Sequence, residues 1–527
     1  MENPLLIEDD EEDVPLTRFE RTLEWIMFRY RFIFVILFLM PVSCVFDAYS
    51  AIRNWVVNRM HSAPGAHVRK VEVIRKELRE WNEGGRKKKL ANARAGWLSM
   101  SYRFPLWKDN CTRISTDKLI DILELDENEM TVRCEPGVTM GQLTKYLVPK
   151  GYTLSVLPEL DDLTVGGLIN GCGLESGSFK SGFIADICVS YEVVLANASI
   201  EIVKPTSKNA GLSEGALFYG IPWSLGSLCF LVAATFRIIR CKKYVKLTYT
   251  RVSTTQEMCE VMDKVTNRYT RSENVDFVEA LMYTKDEGVM MTGEFSDGPE
   301  SSNETINAIG VWHAQWFYIY VKQLIDRQPV TVEYIPLRDY YHRHSRSIFW
   351  ELKDIVPFGN HLLFRWCFGW SCPPSIALLK LTTPSILRKL YDRKHVIQDM
   401  LVPLKALEQT IEVFHEKIEI YPLWLCPFNL SAKFGLVSKS NEEMYVDVGA
   451  YGVCEKESYR AKRTTRELEA FVREVNGYQM PYADVYMTRE EHSQMFNMSH
   501  YNYCRVILAV EDVFPDVYDK ICRQNRH

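Results

Sequence analysis

The sequence predicts an α+β protein with two folded domains behind one N-terminal membrane helix. Three observations predict this fold class. Short strands alternate with helices from about Gly96 to Arg240, a second region of strands and helices runs from about 244 to 455, and the run Phe32–Phe46 carries no charge. Because 527 residues are too many for one ordinary core, two packed units and an anchor fit the length of the chain.

The composition is typical of a globular protein in a reducing compartment. Apolar residues make up 47% and charged residues 25% of the chain, and the net charge of −5 gives no general affinity for nucleic acid. The fourteen cysteines include no C-x-x-C pair and no spacing typical of a disulfide framework or a zinc site. We therefore expect free thiols and no bound metal.

The apolar run is interpreted as a membrane anchor that follows an acidic tail. Phe32–Phe46 is shorter than the stretch of about 20 residues that crosses a bilayer, but Arg29 and Arg31 can snorkel, and Trp25 and Trp55 suit the interface. A cleaved signal peptide and a buried core helix are the alternatives. Basic residues on both sides of the run leave its orientation open, whereas the free thiols favour a cytosolic catalytic domain.

Local patterns behind the anchor predict individual elements. Val71–Trp81 has the apolar spacing of an amphipathic helix, which Gly84 and Gly85 end. The other predicted elements are the strands Thr131–Glu135, Tyr191–Ala196 and Pro481–Met487 and the helices Gly141–Leu147 and Arg466–Val475.

The segment Pro158–Gly182 (PELDDLTVGGLINGCGLESGSFKSG) is too rich in glycine for a helix or strand interior. Such a loop lets the backbone approach a ligand and point N–H groups at phosphate oxygens, so a dinucleotide pyrophosphate fits it. A purely structural loop is the alternative. The sequence lacks G-x-x-x-x-G-K-[ST], which excludes a P-loop, and Gly171–Ser176 approaches G-x-G-x-x-G without an amphipathic helix after it, which disfavours a Rossmann unit.

Four segments in this order resemble the vanillyl-alcohol-oxidase-type FAD-binding domain: VRCEPGVTMGQL, PELDDLTVGGLINGCG, DICVSYEVVLANAS and LFYGIPWSLGSLCFLVAATFRI. Within that superfamily, SAPGAH, PELDDLTVGGLI, EYIPLRDYYHRHSRSIFWEL, HVIQDMLVP and VYDKIC are similar to the Δ24-sterol reductase (diminuto) family, and the similarity covers about Trp25 to His527. It implies an FAD-binding domain followed by a second α+β substrate (cap) domain. The expected organisation is a disordered acidic tail (1–24), a membrane anchor (25–57), the FAD-binding domain (58–243), the cap domain (244–455) and a C-terminal segment that packs back near the flavin (456–527).

The resemblance also implies the cofactor site and its chemistry. Phe179 stands where relatives carry a histidine, a common covalent flavin carrier in the superfamily, so noncovalent FAD is expected. Ala198 and Cys229 replace glycines usual at two turns, and alanine tolerates positive φ poorly, so we expect another turn type at Ala198. The residues implied to contact the pyrophosphate and flavin of FAD are Thr164, Val165, Gly166, Gly167, Leu168, Ile169, Asn170, Gly171, Cys172, Gly173, Leu174, Glu175 and Ser176.

The activity implied by the family is reduction of the C24=C25 bond of a sterol side chain by FAD and NADPH. An isolated alkene has no carbonyl to accept electrons, so a general acid must protonate it as hydride arrives. The candidates, in order of preference, are Tyr482, His344 and Asp484, and strand alternation would put Tyr482 and Asp484 on one face. Each is alternatively a hydrogen-bonded packing residue. Arg343 and Arg346 are candidates for the 2′-phosphate of NADPH, with salt bridges as the alternative.

The expected location is the endoplasmic reticulum membrane, crossed once. Leu362–Leu381 is too broken to span a bilayer and is interpreted either as a sterol entrance that dips into the membrane or as core packing. The predicted partners are a sterol, NADPH and the lipid bilayer, with no nucleic acid and no predicted oligomeric state. Two other functions stay open: a flavin oxidase of an alcohol or aldonolactone, and a sterol-binding protein of the same fold without catalysis.

Overall fold

The computed structural model describes residues 18–61, 64–99, 101, 103–205, 215–267, 272, 274–301, 304–373, 378, 393–431, 434–439 and 442–526. Residues 1–17 of the predicted acidic tail and most of 374–392 lie outside the described residues.

The N-terminal element is one helix interrupted by a π turn. It comprises Arg18–Phe34, the π turn Val35–Leu39 and Met40–His61. Its stretch Arg29–Arg53 is long and apolar enough to cross a membrane, and only 22% of the most apolar part is buried against the rest of the protein. The mixed helices and sheets behind one apolar N-terminal helix confirm the predicted fold class.

The first half of the chain builds a five-stranded antiparallel sheet in the order β3-β4-β8-β6-β7. Strand β8 is central and buried along nearly its whole length, which explains why every residue of FLVAATF except the threonine is apolar. Two small sheets pair β1 with β2 and β5 with β9. The strands are β1 (Leu90–Asn92), β2 (Thr112–Ile114), β3 (Ile122–Asp126), β4 (Thr131–Cys134), β5 (Tyr152–Thr153), β6 (Cys188–Val194), β7 (Ile200–Val203), β8 (Phe230–Arg237) and β9 (Ile239–Arg240).

The helices of this half are Pro64–Glu83, Met140–Leu147, Val165–Asn170, Ser178–Ser181 and Ala216–Gly220. The helix predicted over 71–81 is therefore longer at both ends. The helix predicted over 141–147 begins one residue earlier because Thr139 caps it, with the Gln142 side chain returning to the Thr139 backbone N–H.

Buried charges attach the helix Pro64–Glu83 to the five-stranded sheet. The ammonium of Lys70 donates to Asp121 (2.7 Å) and to Glu135 (2.8 Å), and His67 Nδ1 lies 2.7 Å from the other oxygen of Glu135. All of these groups are buried. Because a buried charge without a partner would be costly, the pairing of each charge stabilises the contact. These contacts hold the helix Pro64–Glu83 against the five-stranded sheet.

The hairpin between β6 and β7 corrects one expectation. Ala198 adopts the left-handed conformation, with φ of +66°, so the expectation of another turn type was wrong. The Ala198 N–H donates to the Leu195 carbonyl and the Leu195 N–H to the Ser199 carbonyl, both at 2.9 Å. These two hydrogen bonds hold the alanine in a backbone region that favours glycine.

The second half builds one antiparallel sheet of eight strands in the order β13-β10-β12-β11-β15-β16-β14-β17. The strands are β10 (Tyr244–Val252), β11 (Phe277–Thr284), β12 (Glu287–Ser296), β13 (Val330–Pro336), β14 (His395–Pro403), β15 (Leu423–Leu430), β16 (Glu443–Val453) and β17 (Tyr478–Gln479). The described helices are Thr255–Thr266, Phe317–Arg327, Leu337–Tyr341, Glu351–Ile355, Leu362–Phe368, Leu407–Lys417, Ala461–Glu474, Arg489–Met495, Met498–Ile507 and Val517–Ile521. The helix predicted over 466–475 is the second part of Ala461–Glu474.

Candidate active site

The glycine-rich segment contains a short helix, Val165–Asn170, where glycine density predicted none. Most of its glycines are required by close packing within the protein. A Cβ on Gly166 would lie 2.6 Å from the Pro136 side chain, and one on Gly171 would lie 2.8 Å from the Gly167 carbonyl oxygen. Glycine is required at these two positions because the Pro136 side chain and the Gly167 carbonyl occupy the space that a Cβ would need.

Gly167 differs from these glycines because its outer side is open. A Cβ there would meet only the Thr164 hydroxyl, at 3.1 Å, and the residue is exposed. Its backbone is helical, so φ does not require glycine at this position. Space left free beside a bare backbone fits the close approach of a dinucleotide pyrophosphate.

A second turn, residues 224–227, lies against the glycine-rich segment. The Leu225 N–H donates to the Asn170 carbonyl at 2.8 Å. The carbonyls of Leu225 and Gly226 accept from the ammonium of Lys520, at 3.1 and 3.2 Å. Lys520 is buried, and burial with the nearby Lys108 lowers its pKa to about 7. The C-terminal segment thus holds this turn in place.

An acid cluster, defined as Asp399, Asp447, Tyr451 and Tyr482, lies at the eight-stranded sheet. The first three are buried side chains on β14 and β16, and the partly buried Tyr482 lies on the turn 481–483. The Tyr482 hydroxyl donates to one oxygen of Asp399 at 2.6 Å, and the Tyr451 hydroxyl donates to the other. Asp399 on β14 is opposite Gly449 on β16, where a Cβ would lie 2.5 Å from the Tyr451 hydroxyl and 2.8 Å from Asp399 Oδ1. A glycine is therefore required for the two side chains to meet.

Burial makes the carboxyls of this cluster hold protons readily. It raises the pKa of Asp399 to about 6, although the Tyr451 and Tyr482 hydroxyls oppose the rise. Asp447 is fully buried, neither of its oxygens has a hydrogen-bond partner among the described residues, and burial raises its pKa well above the ordinary value. Burial and Asp399 likewise raise the pKa of Tyr482 well above 10. The two carboxyls of the cluster therefore keep their protons to a higher pH than ordinary carboxyl groups do.

The acid cluster adjoins the glycine-rich segment at Cys172. Burial and the nearby Asp447 and Asp399 raise the pKa of the Cys172 thiol well above its ordinary value. A ligand in contact with Cys172 would therefore lie near the carboxyl groups of the cluster. We regard this junction as the candidate active site.

His344 lies in a different buried network. Its Nε2 is 3.3 Å from Glu279, its ring stacks on Phe349 with centroids 4.7 Å apart, and its Nδ1 has no partner within the described part of the chain. Glu279 also accepts from Arg343 (2.6 Å) and from the Trp424 indole (2.9 Å). The centroids of the Phe349 and Tyr451 rings are 5.1 Å apart. Phe349 therefore lies between His344 and the acid cluster, and His344 is not a member of that cluster.

Arg343 is unavailable to a phosphate group. Its guanidinium is fully buried between Glu279 and Glu175, and the second of these belongs to the glycine-rich segment. Of the two interpretations given for Arg343, the structure therefore favours the salt bridge, since the charge of Arg343 is already paired. Arg346 is half-buried and donates to the Ala314 and Ile309 carbonyls, at 3.1 and 3.2 Å.

Asp484 forms a bidentate ion pair with Arg103, with bonds of 2.9 Å to Oδ1 and 2.6 Å to Oδ2. Burial opposes ionisation of Asp484, but the Arg103 hydrogen bonds and charge outweigh it and lower the pKa. The strand predicted over 481–487 was wrong: residues 481–483 form a turn, and Val485 makes one isolated bridge with Cys522. Tyr482 and Asp484 consequently have different partners.

The other candidate cofactor residues differ in how much of them a ligand can reach. The side chains of Val165, Leu168, Ile169, Leu174 and Ser176 are buried within the protein. Thr164, Asn170 and Cys172 are partly exposed, whereas Gly173 is buried. Phe179, in the helix Ser178–Ser181, is buried too.

Asp399, Asp447 and Tyr451 were not among the candidate residues predicted from the sequence. The available signal was a carboxylate within an otherwise apolar strand pattern, in HVIQDMLVP and again in MYVDVGAYG. A buried carboxylate in such a strand requires a partner or a proton. The pairing of β14 with β16 that assembles the cluster is not visible in the sequence.

Comparison with known proteins identifies an FAD-binding domain in the first half of the chain. Residues 67–204 match the family described as "FAD binding domain", a range that contains the segment around Gly167. Fold and site together define a protein with an FAD-binding domain.

Full-length relatives identify the family. The chain is 58% identical to the "Delta(24)-sterol reductase homolog dhcr-24" of Caenorhabditis elegans over 98% of this chain and 99% of that protein. It is 50% identical to the human "Delta(24)-sterol reductase" over 96% of each chain. It is 35% identical to the "Delta(24)-sterol reductase" of Arabidopsis thaliana, over 96% of this chain and 94% of that protein. The chain belongs to the Δ24-sterol reductase family and is an oxidoreductase.

Proposed function

We propose that the protein reduces the C24=C25 double bond of a sterol side chain, with noncovalent FAD and with NADPH as the source of electrons. The observation that carries this proposal is the acid cluster beside the glycine-rich segment. A reductase of an unactivated alkene needs a proton donor in a dry site next to its cofactor, and a dehydrogenating oxidase needs a base instead.

The FAD contacts are assigned to the segment from Thr164 to Ser176, with Gly167 against the pyrophosphate. When bound, FAD supplies the hydride, after NADPH has reduced it. The protein must then hold the sterol side chain, exclude water and deliver a proton to C24.

Tyr482 is assigned as the residue that gives this proton. When Asp399 is ionised, the Tyr482 hydroxyl is committed to its carboxylate at 2.6 Å. When Asp399 is protonated, it donates to the Tyr482 oxygen and leaves the hydroxyl proton free to point at C24. The Tyr482 oxygen then loses one proton to carbon and regains one from Asp399, so Asp399 and Tyr482 act as a relay. Tyr451 keeps the carboxyl in place from its other oxygen.

The direct test uses purified full-length protein with desmosterol, FAD and NADPH. Mass analysis should show a gain of two hydrogens by the sterol, dependent on NADPH. Peroxide formation without NADPH would instead identify an oxidase, and sterol retention without product would identify a binding protein.

The proposed location is the endoplasmic reticulum membrane, crossed once, with the catalytic part in the cytosol. The helix Arg29–Arg53 supports the span. All fourteen cysteines are free, which fits a reducing compartment. Added protease should digest the catalytic part of the protein in sealed microsomes, whereas protection until detergent is added would place it in the lumen.

A further inference from the structure

An apolar surface lies next to the N-terminal helix. We name it the aromatic patch and define it as Phe358, Leu362, Leu363, Trp366, Phe368 and Trp370. These side chains are between 39% and 68% exposed, although each is large and apolar. Soluble surfaces rarely collect so many such side chains in one place.

The short helix Leu362–Phe368 is turned so that its apolar side faces outward. Leu363 and Trp366 are exposed, whereas the guanidinium of Arg365 points back and donates to the His313 carbonyl at 3.0 Å. His313 also stacks on the Trp366 ring with centroids 4.2 Å apart. A helix exposed to water would be expected to present its cation outward and its aromatic residues inward.

The aromatic patch is continuous with the candidate membrane helix. The rings of Phe32 and Phe358 meet edge to face at 5.0 Å. The helical part Met40–His61 also packs against residues 369–371, beside Trp370. A bilayer crossed by the N-terminal helix would therefore reach the aromatic patch at the point where that helix meets the protein.

We propose that the aromatic patch inserts into the same membrane leaflet as one end of the N-terminal helix, as a second, monotopic contact. This inference rests on the membrane anchoring proposed above. Tryptophan at the edge and leucine at the tip suit the interface and the acyl region, and surfaces of this kind bury their apolar face about 5–10 Å deep.

The native chain offers a probe for this contact. Cys367 lies within the patch and is the exposed one among the fourteen cysteines. A bimane dye on Cys367 of the full chain, reconstituted in phosphatidylcholine vesicles, should be quenched by nitroxides on the lipid acyl chains and protected from aqueous iodide. The matched control carries Cys367→Ser and Ile202→Cys, because Ile202 on β7 is also an exposed apolar residue. We expect several-fold more lipid quenching, and several-fold less iodide quenching, at position 367 than at position 202.

Two outcomes would overturn the proposal. Equal iodide quenching at both positions would show that the patch faces water, and protection from iodide without lipid quenching would show that a second protein copy covers it. In the Leu363→Glu, Trp366→Glu double variant, lipid quenching at Cys367 should fall to the control value while FAD content stays unchanged. Failure of the anchoring itself would be seen separately, as full-length protein that does not float with the vesicles.

Discussion

Tyr482 is the residue whose substitution tests the proposed proton transfer most directly. Tyr482→Phe removes the hydroxyl that donates to Asp399 and leaves the ring in place. We expect kcat to fall about a hundredfold or more, the usual contribution of a general acid, while bound FAD is unchanged. Tyr478→Phe is the control, because its hydroxyl donates to the Ser438 carbonyl and not to the cluster. Equal activity in the two variants would remove Tyr482 from the mechanism.

The proton on Asp399 gives a second prediction at this scale. The folded pKa of Asp399 is raised to about 6, so its protonated form prevails below that pH and is lost above it. Since the relay uses the protonated form, kcat should decline as pH rises through about 6. A pH profile of Asp399→Asn should lose this step, because an amide does not titrate. A step that persists in the variant would assign it to another group.

Gly167 tests the cofactor cradle. In Gly167→Val the new side chain meets only Thr164 within the protein but enters the space assigned to the pyrophosphate. An overlap that costs about 3 kcal/mol weakens FAD binding about a hundredfold, so the purified variant should be folded and colourless. Gly166→Val is the contrasting control: its Cβ would lie 2.6 Å from Pro136, so we expect misfolding as well. A folded, yellow and active Gly167→Val protein would refute the cradle.

The same protein preparations test whether FAD is covalently attached to the chain. Denaturing the wild-type protein should release free FAD, because Phe179 offers no nucleophile to the flavin. Colour retained by the precipitated chain would contradict this part of the proposal.

At the scale of single elements, the β6–β7 hairpin stores strain at Ala198. Alanine at φ of +66° pays a cost of about 1–2 kcal/mol that glycine avoids, and glycine adds about 0.5–1 kcal/mol of chain entropy to the unfolded state. Ala198→Gly should therefore raise the midpoint of thermal unfolding slightly. Ala196→Gly, in the same hairpin but without positive φ, should lower it. The opposite order would mean that the turn relaxes in solution.

Elements determined by local contacts were predictable from the sequence, and elements determined by distant contacts were not. The capping box of Thr139 and Gln142 lies within four residues of chain, so the helix after it could be read directly. The turn at 481–483 depends on Arg526, which donates to the Pro481 and Ala483 carbonyls at 2.8 and 3.2 Å. The alternation of side chains over 481–487 does not indicate that contact, so the sequence could not predict the turn.

The candidate site divides in the same way. The open backbone at Gly167 lies in a segment whose density of glycines indicated a close approach of the backbone, and its contact with FAD stays a prediction. The acid cluster required the register of β14 against β16 and the position of Tyr482 on a separate turn. Only Tyr482 of its members was singled out from the sequence, and its carboxyl partner was not.

For the whole molecule, deletion of the N-terminal helix should remove membrane attachment without removing flavin binding. Most of its apolar stretch is exposed, so deleting residues 1–57 leaves the FAD cradle intact and removes the span. We expect the truncated protein to bind FAD and to leave the membrane fraction partly or wholly, the aromatic patch retaining any remainder. Fractionation and flavin absorbance measure both properties. Loss of flavin would show that the helix belongs to the core.

The contacts of the C-terminal segment have a consequence for the order of synthesis. Lys520 and Arg505 hold the turn beside the glycine-rich segment, through the Leu225 and Ser227 carbonyls. A nascent chain emerges from the ribosome N-terminus first, so translation must be almost finished before this turn receives its hydrogen bonds. If FAD binds at the glycine-rich segment as proposed, we expect it to load only once the polypeptide is nearly complete. A premature stop codon or frameshift close to the end of the message should then damage the same site as a substitution at Gly167.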